Sequence, residues 1–341
     1  MSGVSGASGA SVVDLHTHVF SPDLPDLGAE TGDGRWPRLV AGVVDGSPDE
    51  HRGEVWRGDD RFRVVRRTFW DTEARIAEMD AAGTDIQVIS PIPVALTYWA
   101  DGPDALRFAR AQNDMIAAVV ESSGGRLLGL GTVPMQDPAA AAAELKRITT
   151  GLGLAGAEIG TVVQGAELDD PELRPFFRAA ADLDAPLFLH PIDGSGVLRC
   201  SDPLTDFAVG MHTDNALAVK ALVYGGVLAE LPELRVCLAH GGGAFPWTHP
   251  RLRWRARDRD PDDLDRLVRR LWADCLVFDP LPFSVLTARY GADHLVLGSD
   301  YPFIDHDPRG PIDDAIAAGL LTAAEATAIR GPNALAFLGL A

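Results

Sequence analysis

Eight short apolar runs punctuate the chain, and amphipathic stretches separate them. The runs occupy residues 12–18, 85–91, 127–134, 154–159, 186–190, 236–240, 274–279 and 294–300. Runs of this length, rich in Val, Ile and Leu, predict strands buried on both faces. Between the first two, Ile76 and Met79 stand three apart in a stretch that stops at Gly83, a helical spacing with a helix-ending residue. Asp137-Pro138 opens the Ala-rich stretch after the third run, and Asp170-Pro171 precedes Leu173, Phe176 and Phe177. Asp caps a helix and Pro suits its first turn, so helices are expected at both places. Eight β-then-α units predict an α/β chain folded as a (β/α)8 TIM barrel.

No tandem repeat and no second core are expected. Residues 12–341 read as one domain, and the Ser/Gly/Ala-rich residues 1–11 as a flexible leader without the apolar core of a signal peptide. The main departure from a minimal barrel is a long insertion, residues 20–70, after the first strand. It is rich in Pro, Gly, Asp and Arg. Connections that long are functional or disordered, so this one is either a lid over the barrel mouth or plain surface disorder.

Of the 341 residues, 46% are hydrophobic, enough for a sizeable core. Against 30 Lys and Arg stand 49 Asp and Glu, a net charge of −19. So acidic a chain is a poor partner for nucleic acid or an anionic membrane, and an anionic substrate needs local arginines. Cys200, Cys237 and Cys275 form no C-x-x-C pair, and the latter two sit in apolar runs. They read as inert free thiols in a reducing cytoplasm. No run reaches the length of a membrane span.

The strand ends carry the chemistry. His16 and His18 are two apart on the first strand, so both imidazoles project to one face. His190 ends the fifth strand, His240 the sixth and Asp300 the eighth. Barrel active sites form at the carboxyl ends of the strands. Three imidazoles and a carboxylate, His16, His18, His190 and Asp300, suit Zn²⁺ or another divalent transition metal with a position left for water. Such an ion brings the pKa of a water toward neutrality. His240 is placed to act on that water or on a substrate as general base or acid, and Asp300 could serve as the base at the metal. Gly241, Gly242 and Gly243 let the backbone turn sharply beside a ligand.

Each residue has a plainer reading. An isolated His-x-His pair is common by chance, His190 alone fits a core histidine, and Asp300 alone fits a helix cap. The conjunction of all four residues at strand ends decides for the metal. His294 falls at the opposite end of the barrel and reads as structural. His51, His249 and His306 read as solvated, and His212 stands where it could touch a substrate. Trp70, Tyr98 and Trp99 read as core packing.

These segments also carry a resemblance. Asp14-Leu-His-Thr-His18, Arg75-Ile-Ala-Glu-Met-Asp80, Gly83-Thr-Asp-Ile-Gln-Val88, Leu189-His-Pro191, His240-Gly-Gly-Gly-Ala-Phe245 and Leu297-Gly-Ser-Asp-Tyr-Pro-Phe303 spread over nearly the whole chain. Together they resemble the amidohydrolase superfamily, within it the metal-dependent, non-oxidative decarboxylases of the aminocarboxymuconate-semialdehyde type. The resemblance implies zinc ligands at His16, His18, His190 and Asp300, and a water-activating histidine at His240. It further implies a substrate-carboxylate arginine at Arg63 and a pocket-wall aromatic at Phe303. Arg251 would reach into the neighbouring subunit's site, which implies a homodimer. From the residues alone, Arg63 and Arg251 stand in arginine-rich runs that equally suit a solvated face. Asp59 stands where this branch carries a lysine, and the segment after His190-Pro191 lacks the branch's tryptophan. The chemistry is therefore better specified than the substrate.

The expected activity is removal of CO₂ from a small unsaturated or aromatic carboxylate. The same groups could hydrolyse an amide or lactone, or hydrate a double bond. Release of CO₂ rather than acid separates the first two. A non-enzymatic metal scaffold would be expected to lack a ligand or His240, and all five residues are present.

Overall fold

The computed structural model describes residues 11–192 and 202–341. Nearly all of the expected leader, Cys200, and most of the segment after Pro191 lie outside the described residues. Eight parallel strands form the sheet. They are β1 (Val13–Val19), β2 (Ile86–Pro91), β3 (Leu127–Thr132), β4 (Gly156–Gly160), β5 (Leu187–His190), β6 (Val236–Leu238), β7 (Trp272–Asp274) and β8 (Leu295–Val296). Their order in the sheet follows the chain. Beyond β8 the backbone returns to β1: Leu15 N donates to Leu297 O at 2.9 Å, Asp300 N to His16 O at 2.9 Å and His18 N to Tyr301 O at 2.7 Å. The barrel expected from the apolar periodicity is the one observed.

Val13, Leu15, Val88, Leu130, Phe188, Cys237 and Val296 pack inside the barrel, while Ile89, Leu127, Ile159, Leu187 and Leu238 pack outward against the helices. Burying each such side chain contributes about 1.5–3 kcal/mol. The helix Thr72–Ala82 starts where Asp71 accepts Ala74 N at 2.9 Å, and ends at Gly83 in a left-handed conformation, φ 66°. The helix Pro138–Lys146 is capped by Asp137 as expected. Among the described residues no helix is long and apolar enough to cross a membrane.

Two expectations need correction. The seventh strand ends at Asp274 rather than starting there. The apolar run after it is a loop that turns at Phe278, which is left-handed at φ 56° and half exposed. A second hydrophobic cluster also exists. Residues 20–70 contain an antiparallel sheet of three strands, Pro37–Val44, Ser47–Arg57 and Asp60–Arg66. Its buried Leu39, Val55 and Val65, with Phe20, Trp36 and Phe69, pack against Ile92, Ala100 and Phe108 from the β2 side of the barrel mouth. Surface disorder is thus not what these residues show: they form a sheet with its own apolar underside.

Candidate metal centre and active site

Alternation along β1, with an irregular register between Asp14 and Thr17, turns both His16 and His18 into the barrel mouth. Fully buried, they meet His190 from the end of β5 and Asp300 from just beyond β8. One ligand-type atom from each of the four lies within 4.8 Å of the others. The Nε2 atoms of His16 and His18 are 3.1 Å apart, and Asp300 Oδ1 is 3.6 Å from the first and 3.2 Å from the second.

The far nitrogens explain this convergence. His16 Nδ1 bonds Asp274 Oδ2 at 2.6 Å, His18 Nδ1 bonds the Pro91 carbonyl at 2.8 Å and His190 Nδ1 bonds the Pro191 carbonyl at 2.7 Å. Each of these partners is an acceptor, so each Nδ1 carries the proton and donates, which leaves three Nε2 lone pairs aimed at one point. His190 Nε2 and Asp300 Oδ1 are buried without hydrogen-bond partners among the described residues. Lone pairs facing each other in a buried pocket are repulsive unless a cation stands between them. The donor set therefore fits a divalent ion, with the outer acceptors setting each ring's tautomer.

The two carboxylates favour positive charge at His16, whether carried by a proton or by a metal ion. Burial works against ionisation of Asp274 and Asp300, but the neighbouring imidazoles outweigh it and hold both carboxyls below the usual range. Burial likewise opposes a charge on His16, yet the Asp274 hydrogen bond with Asp300 nearby carries it up to about 9. Burial, reinforced by His16, pushes His190 well below the usual imidazole value and His240 down to about 4.

His240 stands beside this cluster, its ring 5.3 Å from His16 and 5.0 Å from His190, centre to centre. Its Nε2 is buried and has no partner among the described residues. Its backbone is left-handed, φ 54°, a conformation that costs a non-glycine residue about 1 kcal/mol or more and recurs at functional sites. Phe303 packs against His18 at 5.5 Å, and the Arg63 guanidinium lies over Phe303 at 4.8 Å. Arg63 is exposed on the small sheet and has no ion-pair partner among the described residues. Arg57, Arg35 and Trp99 line a cavity of about 380 Å³ with Leu96 and Ile192, which follows His190 by two residues. Arg251 lies elsewhere, exposed on the helix Phe245–Arg255.

Three residues matter more than their sequence context suggests. Asp274 orients His16 through Oδ2, and through Oδ1 it accepts Gly241 N at 3.0 Å, so one carboxylate aligns both a candidate ligand and the loop carrying His240. Its position at a strand end was the available signal, hidden by the shifted seventh strand. Glu158, buried in the middle of β4, bonds Ser90 Oγ, and its Oε1 has no partner among the described residues. Arg75 is fully buried. It donates to Thr68 O, Gln87 Oε1 and the His18 carbonyl, tying residues 20–70 to the end of β1. Replacing Asp274 by Asn is expected to weaken metal binding by about 10–100-fold, the usual effect of losing an outer partner, read by competition with a chelating dye.

His249 differs from expectation, while His294, Tyr98 and the two cysteines stand as expected. His249 is buried rather than solvated, with Nδ1 3.0 Å from Tyr224 Oη and Nε2 2.7 Å from Asp265 Oδ1. His294 stacks on Trp272 at 4.2 Å, away from the site. Tyr98 is buried and accepts Gly160 N at 3.0 Å. Cys237 and Cys275 are buried free thiols.

The Amidohydrolase family profile matches residues 13–340. The chain belongs to the amidohydrolase family. Within it, the 2-amino-3-carboxymuconate-6-semialdehyde decarboxylase of Dictyostelium discoideum is 35% identical to this chain, over 96% of this chain and 91% of its own length. The gamma-resorcylate decarboxylase of a Rhizobium species is 28% identical over 74% and 83%. The solved structure of a dihydroxybenzoic acid decarboxylase from a Polaromonas species, with bound manganese and the inhibitor 2-nitroresorcinol, matches with a TM-score of 0.74. It covers 97% of each chain at 22% identity, a likeness of fold.

Proposed function

We propose that the protein is a metal-dependent, non-oxidative decarboxylase of a small unsaturated or aromatic carboxylate. The observation that carries the reading is the conjunction at the barrel mouth: four converging donors, a His240 beside them whose Nε2 has no partner among the described residues, and the Arg63 guanidinium above. The family's decarboxylases support it. His16, His18, His190 and Asp300 would hold the ion, zinc or manganese. A divalent ion there supplies Lewis acidity toward substrate oxygens.

The chain's own groups supply the rest. Arg63 presents a planar fork suited to a carboxylate, and Phe303 gives a flat wall for a conjugated substrate. His240 delivers a proton to the carbon bearing the carboxylate. The C–C bond then breaks and its electron pair remains with that carbon, so CO₂ leaves. Asp274 keeps the His240 loop in register with His16.

Arg251 is assigned to a neighbouring subunit's site, in a homodimer. Trp247 and Trp254, 80% and 66% exposed, flank Arg251 on its helix and offer the apolar area such a contact covers. Sedimentation of the protein as a dimer, and as a monomer when Trp247 and Trp254 are both changed to Ser, checks this. The free buried thiols suit a cytoplasmic protein.

The test is a panel of hydroxybenzoates and unsaturated dicarboxylates assayed for CO₂. Arg63→Met is expected to raise KM by roughly 10–100-fold with a smaller change in kcat. Acid release without CO₂ across amide and lactone substrates would replace this reading with the hydrolase.

A further inference from the structure

Decarboxylation consumes a proton. A carboxylate and H⁺ become R–H and CO₂, so each turnover draws one proton from solvent into the site. The groups at hand for that transfer are buried. His240 is only 7% exposed. Three imidazoles stand against its ring: His16, His190 and His212. His16 and His190 have Nδ1 engaged by protein acceptors and Nε2 turned to the cation site. His212 belongs to neither arrangement.

His212 lies in the first turn of the helix Met211–Tyr224 and is half-buried, so it borders both solvent and His240. Its ring centre is 6.0 Å from that of His240, at 61°. Its side chain makes no hydrogen bond or ion pair among the described residues. Its backbone, in contrast, is held. Ala244 N donates to His212 O at 3.0 Å. Gly243, at φ 60°, comes so close that a Cβ there would stand 2.3 Å from the same oxygen. A glycine is required, and the loop running from His240 to Ala244 is thereby latched to His212. The separation of the two rings is one that a single water or a small ring rotation spans.

We infer that His212 relays protons between solvent and His240. It accepts a proton from solvent on one ring nitrogen and releases one toward His240 from the other, ending each cycle neutral as it began. It acts through His240 and does not touch the reacting carbon. This inference rests on the decarboxylase reading.

The test uses His212→Asn and His212→Gln in the metal-loaded protein, with wild type alongside. In dilute buffer, kcat for CO₂ release is expected to fall roughly tenfold, with KM and metal content unchanged. Added imidazole or another small proton carrier is expected to restore most of the rate to the variants and leave wild type unmoved. Rescue is the reading that loss of packing would not produce. Variants that match wild type in dilute buffer, or that are slow and unresponsive to imidazole, overturn the relay. A wild type that releases no CO₂ from any acid overturns the decarboxylase reading, and the relay with it.

Discussion

An enzyme with His240→Ala is expected to keep its metal and lose about a hundredfold or more of its CO₂ release. The geometry separates the two effects. His240 is not among the four donors that share one point, and its ring stands 5.0 Å from His190 and 5.3 Å from His16. Its buried Nε2 bonds nothing among the described residues, so truncation strands no partner there. What is lost, on the proposed mechanism, is the proton carrier beside the cation site. Because residue 240 has a positive φ, His240→Asn is the better-tolerated companion. Metal analysis and a CO₂ assay on both variants decide the matter. Near-wild-type turnover removes His240 from the mechanism, and loss of the ion moves it into the ligand set.

Removal of the ion is expected to abolish activity altogether and lower the melting temperature. In its absence the Nε2 atoms of His16 and His18 face each other at 3.1 Å, with Asp300 3.2 Å from the second. An ion that binds only the folded state stabilises it by about 2.7 kcal/mol at a hundred times its Kd. Chelation should therefore lower the melting temperature as well as the rate. Zn²⁺ or Mn²⁺ added back should restore both, and the better of the two identifies the working ion. Asp300→Asn should behave as chelated protein whatever is added, because an amide oxygen contributes no charge to the donor set. Full activity after exhaustive chelation would end the metal reading.

How much of this was legible in the chain depended on the residue. His16 and His18 could be read because a period of two forces both to one face. His190, His240 and Asp300 could be read because each closes an apolar run. Asp274 was concealed by the cysteine-containing apolar residues after it, which draw an expected strand downstream while the real one pairs Trp272 and Ala273 with Cys237 and Leu238. The small sheet was hidden by composition: polar outward residues and prolines outweigh its apolar alternation. A local signal was present nevertheless. Asp45-Gly46, at φ 52° and 72°, joins Val44 to Ser47 in a two-residue hairpin, and Asp-Gly between apolar runs is its usual signature. Burial of His249 and Arg75 depends on partners in other elements, which the pattern of their own helices does not encode. Arg63 and Arg251 look alike as sequence. Only the fold puts one over Phe303 and the other on an open helix.

The way the first and last strands meet has a wider consequence. Residues 16 and 18 belong to the opening strand, Asp300 to the segment just beyond the closing one, and an ion between them would staple the two ends of the fold across about 280 intervening residues. Backbone amides along that seam, those of Leu15, His18 and Asp300, should exchange with deuterated solvent faster once the staple is withdrawn, while amides of β3 and β4 on the opposite wall keep their protection.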